Sequence, residues 1–220
     1  MLLFIKTAFL LWTTLNSISG DTVTQTFRFT RNILSLDGTP KSVIVVNNIF
    51  PGPVIHVNAG DTLRVRVLNQ LNEDESLSIH WHGISQRGSP WFDGTSFVTN
   101  CPIIYGSSIT YEFLVESTGT FWYHGHVGAT RAEGGYGFLI VRNNSSTSLT
   151  DDRFIIISDW YHANANDISS GLLSPKFSFP GNGDAVLLNG VGSCSTTISA
   201  YSGRDFAFHL INTVFSARFL

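Results

Sequence analysis

Turn residues break this chain at short intervals, and between them apolar and polar residues alternate with the two-residue period of β-strands. Thr24 to Leu36 alternates in TQTFRFTRNILSL before Asp37-Gly38 supplies a turn. Val43 to Val46 is a β-branched run; Pro51-Gly52-Pro53 breaks the chain before Val54-Ile55-His56-Val57 resumes it. After the turn Ala59-Gly60-Asp61, Leu63-Arg64-Val65-Arg66-Val67 has one apolar and one charged face. Further strands are expected at Leu77 to His82, Ile109 to Val115, Gly119 to His124 and Tyr136 to Arg142. No stretch of this region carries a 3.6-residue period. About eight short strands in about 120 residues imply an all-β sandwich or barrel.

The 220 residues are 43% hydrophobic and 13% charged, which excludes disorder and a coiled coil. A net charge of −3 without a basic run argues against a nucleic-acid partner. Composition turns polar at Asn143 to Asp152 (NNSSTSLTDD), the best linker candidate. Strand signals return at Phe154 to Ser158, Ala185 to Asn189 and Phe206 to Ile211, and the sequence closes on apolar Phe219-Leu220. The expectation is one complete domain over 21–147 and an incomplete second one over 148–220.

Residues 1–20 combine the cation Lys6, an apolar run from Ala8 to Trp12 and the small-residue stretch Ser17-Ile18-Ser19-Gly20. That pattern reads as a secretory signal and points to a secreted, extracellular protein. The apolar run is short for a membrane span, and no later segment is long enough for one. Asn143-Asn144-Ser145-Ser146 holds two overlapping N-glycosylation acceptors, which agrees with secretion.

Four of the seven histidines fall in two His-x-His pairs, His80-Trp81-His82 and His124-Gly125-His126. On a strand, residues i and i+2 share a face roughly 7 Å apart, so each pair presents two imidazoles side by side. The pairs lie 42 positions apart and can close onto one cavity from facing strands. Four neutral imidazoles select a transition metal over calcium or magnesium. Each must be neutral to bind, so affinity is expected to weaken below about pH 6, near the reference imidazole value. His56, His162 and His209 are isolated and read as structural, in a core or domain contact.

The words around those pairs resemble the multicopper oxidases, and among them the fungal laccases. The resemblance runs through Phe50-Pro51-Gly52-Pro53, Gly60-Asp61, His80-Trp81-His82-Gly83, Trp91-Phe92-Asp93-Gly94 and Cys101-Pro102-Ile103. It continues through Gly119-Thr120-Phe121-Trp122-Tyr123-His124-Gly125-His126 and Asp159-Trp160-Tyr161-His162, covering nearly all of residues 21–220. It implies cupredoxin-like Greek-key β-sandwiches, three in a full-length member, with the second one incomplete here. It also implies copper at a type 1 site and at a trinuclear cluster held by four His-x-His pairs. His80 then matches a type 2 ligand, and His82, His124 and His126 match type 3 ligands. Asp93 matches an acid that helps deliver protons to oxygen; the Phe92-Asp93-Gly94 wording fits a plain turn equally well.

Such enzymes take electrons from phenols or aromatic amines and reduce O2 to water, through a His-Cys-His segment that this sequence lacks. Cys101 lies in Asn100-Cys101-Pro102 and Cys194 in Ser193-Cys194-Ser195. The chain therefore holds half a cluster's ligands and no electron entry, and alone is expected to be inactive. A copper-binding fragment without turnover, or part of a ferroxidase-like relative, are the alternatives. Two departures stand out. Gly125 replaces the usual serine between the second pair, removing a hydroxyl and loosening the backbone. Ala132 replaces a cysteine that bridges to the second domain in many fungal relatives. A Cys101–Cys194 bridge is open in a secreted chain.

Overall fold

A computed structural model describes residues 20–143, 151–192 and 196–214. The signal-like stretch through residue 19, the acceptor Asn144, Cys194 and the apolar stretch from Phe215 to Leu220 lie outside the described residues. The strands are β1 (Thr22–Leu34), β2 (Lys41–Val46), β3 (Ile55–Asn58), β4 (Thr62–Gln70), β5 (Ile79–His82) and β6 (Ser108–Leu114). They continue with β7 (Gly119–Gly125), β8 (Tyr136–Arg142), β9 (Asp151–Trp160), β10 (Ala185–Leu188) and β11 (Phe206–Asn212). One helix, α1 (Ala165–Leu173), lies between β9 and β10.

Two four-stranded sheets, ordered β2-β1-β4-β6 and β3-β8-β7-β5, face each other as a cupredoxin-like Greek-key sandwich. β1 runs parallel to β4, pairing Phe27 with Val67, so it lies between its sequence neighbour β2 and a strand distant in sequence. Alternation decides what lies between the sheets. Phe27, Phe29, Leu63, Val65, Trp81 and Tyr123 all point inward and are fully buried. Tyr123 settles its hydroxyl on the Pro53 carbonyl at 2.9 Å.

The third sheet, β10-β9-β11, packs on the back of the histidine-bearing sheet. Trp122, Tyr136, Phe138 and Ile140 meet Ile156 and Ile211 there. A smaller cluster joins Val43 and Val45 to Trp160 and Leu187. β8 is thus covered on both faces, which explains its unbroken apolar run.

Charges seal the same junction. Glu133, with a side chain 2% exposed, takes Arg31 at 3.0 Å and Lys41 at 3.4 Å. Arg31 also reaches Glu75 at 2.5 Å. Lys41 donates to the Tyr161 carbonyl at 2.7 Å and lies 4.4 Å from the Trp160 ring centre. The second oxygen of Glu133 accepts the Ala165 amide at 2.7 Å, at the start of α1.

The isolated histidines are contacts at this junction. His162 Nε2 sits 2.7 Å from an Asp37 carboxylate oxygen. His209 Nδ1 lies 2.6 Å from Thr120 Oγ1 and its Nε2 3.2 Å from Asp152. His56 packs edge-on against Phe154 at 6.0 Å. The strand reading is corrected at two points. Asp151 and Asp152, placed in the linker, open β9, because they pair with Phe206 and Ala207 of β11. The helix α1 was missed; its signals are the cap Asn164, which accepts the Asn166 amide, and Asp167 in the first turn.

Candidate metal centre

β5 and β7 are adjacent antiparallel strands rather than facing ones, and His80 stands directly opposite His124. Trp81 and Tyr123 turn into the sandwich core, so the histidines flanking Trp81, and Trp122 with His124, share the other face. His126 lies one residue beyond the end of β7, held by its amide on the Ser78 carbonyl at 2.8 Å. Ring centres place His80 at the middle of the group: 5.5 Å from His82, 5.4 Å from His124 and 5.5 Å from His126. His80, His82 and His124 each offer a ring nitrogen within 4.8 Å of the others.

Hydrogen bonds set which nitrogen faces the group. His124 Nδ1 donates to the Gly125 carbonyl at 2.9 Å, and His80 Nδ1 donates to the Asp93 carbonyl at 2.7 Å. A carbonyl only accepts, so both rings carry their proton on Nδ1 and keep a lone pair on Nε2. His124 Nε2 is buried and has no partner. A buried acceptor left bare is costly unless something binds it. Burial drives the His124 imidazole down to about 3 against the Gly125 hydrogen bond, which raises it, with smaller lowering contributions from His80, Arg131 and His126. His82 is also lowered, by desolvation first and then by His80 and Arg131. Protonation near the ordinary imidazole value therefore does not describe these two rings. His124 is buried while His82 and His126 are exposed, so the group opens toward solvent.

Asp93 reaches His80 mainly through its backbone. Its amide closes the short 3-10 turn Pro90–Phe92 on the Pro90 carbonyl, and its carbonyl takes the His80 proton. The Asp93 carboxylate lies 3.5 Å from His80 Nδ1 and accepts Thr95 Oγ1 at 2.9 Å. Gly94 has φ +83°, and a Cβ there would sit 1.8 Å from the Ile79 carbonyl, so only glycine lets this turn lie against β5.

Multicopper oxidase family models match residues 29–146 and 151–219. The chain belongs to the multicopper oxidases. Copper is the metal that membership implies. Laccase-1 of Cryptococcus neoformans var. grubii is 41% identical over 191 residues, covering 82% of this chain and 30% of that protein. The L-ascorbate oxidase of Cucumis sativus is 40% identical over 170 residues, 76% of this chain and 29% of that protein. The crystal structure of the Botrytis aclada laccase superposes with a TM-score of 0.76 at 31% identity, covering 89% of this chain and 39% of that one. The chain spans about a third of the length of these multicopper oxidases.

The glycine between the second histidine pair lies tight against the following turn. Gly125 is buried in β7, and a Cβ on it would lie 2.5 Å from Thr130 Oγ1. Thr130 fills the space that a serine at 125 would use. Ala132 lines a cleft with His124 and His126, and Cys101 is exposed.

Proposed function

We propose that this chain is the amino-terminal portion of a secreted fungal laccase-like enzyme that couples oxidation of phenols or aromatic amines to reduction of O2. Residues 1–20 serve as the signal peptide, 21–147 as the first cupredoxin domain, and 148–220 as part of the second. His80, His82, His124 and His126 hold copper, His80 on the type 2 side and the other three on the type 3 side. Copper there supplies the redox chemistry that amino-acid side chains lack. The observation that carries this reading is the bare, buried Nε2 of His124 beside His80 and His82. The donor set fits copper: imidazoles only, with two proton positions fixed by backbone carbonyls.

The chain's own residues do the rest. The Asp93 carbonyl orients His80, and its carboxylate, half-open to solvent, is the proton-delivering acid. Neither cysteine is flanked by histidine, so the isolated chain binds copper without turning over phenols. The likeness to a laccase is what supports phenols as the substrate class. Metal analysis after dialysis tests the assignment. Wild-type chain retains copper, and a His80→Ala, His124→Ala double variant loses it; equal copper in both overturns the reading.

A further inference from the structure

Ser78 stands immediately before β5, two residues ahead of His80, and is fully buried. Its hydroxyl donates to the Gly94 carbonyl at 2.7 Å and accepts Asn100 Nδ2 at 3.1 Å. The Tyr111 hydroxyl lies 3.4 Å away. Tyr111 belongs to β6 in the opposite sheet, and its oxygen already accepts the Ile79 amide at 3.0 Å, which leaves its proton for Ser78. A serine hydroxyl has one proton and two lone pairs, so every bond Ser78 Oγ can make is committed.

Gly94 follows Asp93, whose carbonyl takes the His80 Nδ1 proton at 2.7 Å. On one side the Asp93 amide is tied to the Pro90 carbonyl at 3.2 Å. On the other stands Gly94, at φ +83° and required by its close approach to Ile79. Glycine rotates more freely than any other residue, so the packing against β5 puts the softest torsions beside the carbonyl that aims His80. The Ser78 hydroxyl restrains them by holding the Gly94 carbonyl. The backbone of Ser78 serves the other pair, since its carbonyl accepts the His126 amide at 2.8 Å.

We propose that Ser78 is a positioning residue shared by both histidine pairs. Its hydroxyl, through Gly94 and Asp93, keeps the His80 proton on Nδ1 and Nε2 free for copper, while its backbone keeps His126 in register. The proposal rests on the copper reading of these imidazoles, and Ser78 itself holds no metal.

Two measurements on the full chain separate this role from the copper assignment. In the metal-free chain, at a pH where the rings are neutral, long-range nitrogen–proton NMR reads each histidine tautomer. Ser78→Ala shifts His80 toward the form protonated on Nε2. Ser158→Ala, which removes a buried hydroxyl bonded to Tyr136 on β9, leaves His80 as in wild type. In the copper-loaded chain, competition with a chelator shows Ser78→Ala binding copper about tenfold more weakly, the low end of the cost of losing an outer-shell partner. Ser158→Ala retains wild-type affinity. Should Ser78→Ala fail to fold, Ser78→Cys keeps the shape with a weak donor and carries the same expectation. A folded variant at position 78 with the wild-type His80 tautomer overturns the positioning role. A wild-type chain that takes up no copper overturns the metal reading, and the tautomer comparison still decides Ser78.

Discussion

Gly125 and Thr130 occupy one space: a Cβ on Gly125 would stand 2.5 Å from Thr130 Oγ1 and 2.8 Å from Thr130 Cβ. Thr130 is tied in place by Val127, whose carbonyl accepts its hydroxyl. The second histidine pair is thus spaced by a packed contact across the turn. Gly125→Ser is expected to destabilise the chain by about 1–3 kcal/mol, the usual cost of overpacking. Adding Thr130→Gly restores most of that loss. Urea unfolding of the two variants checks it, and a neutral Gly125→Ser single variant refutes the contact.

Glu133 neutralises two buried cations and accepts the first amide of α1. Glu133→Ala leaves Lys41 with no carboxylate and strips one from Arg31. Removing one partner of a buried ion pair costs roughly 3–5 kcal/mol. Glu133→Gln is expected to lose less, since its amide oxygen still accepts from Ala165. Denaturant midpoints that rank Gln at or below Ala would contradict the capping role.

The junction around His56 and Asp152 makes the metal-free chain sensitive to acid. Desolvation first, then Arg142 and His209, hold the His56 imidazole below 6.5, against the pull of Asp152. Burial alone would raise the Asp152 carboxyl, but its hydrogen bond with His209 and the Arg142 charge lower it below 3.8. Both folded values are depressed, so both contributions are complete above the unfolded values and disappear as pH falls through the folded ones. The His56 window opens below about 6.5, well before Asp152 titrates. Urea midpoints are expected to fall from pH 6.5 to 5, with a shallower slope in His56→Gln. His82 and His124 act with the same sign, so that slope is reduced rather than abolished. A His56→Gln profile parallel to wild type would remove His56 from the account.

The outer side of the third sheet is apolar and open: Val186 and Leu188 of β10 and Phe208 and Leu210 of β11 are 38–59% exposed. Uncovered apolar sheet faces recruit other chains. Concentration-dependent association is expected from light scattering, relieved by Phe208→Lys with Leu210→Lys. Limited proteolysis is expected to cut after residue 143 and to spare the sandwich. Equal resistance of residues 151–214 in a monomeric sample would defeat this expectation.

The period-two pattern determined the fold class and nearly every strand, because side-chain direction on a strand depends only on position parity. Leu63 to Val67 alternates buried and exposed within β4 as its pattern marks, and the His-x-His pairs announce their chemistry by spacing alone. Three things needed the tertiary structure. The pairing of β5 with β7 put His80 opposite His124 and made His80 the middle of the group, since register is a relation between distant segments. The bare Nε2 of His124 and its fall to about 3 come from burial, which no local pattern encodes. The contact of Thr130 with Gly125 depends on how one turn folds back beside the site. Residue types and spacings are written in the chain; which atoms are left without a neighbour is settled only when the chain closes on itself.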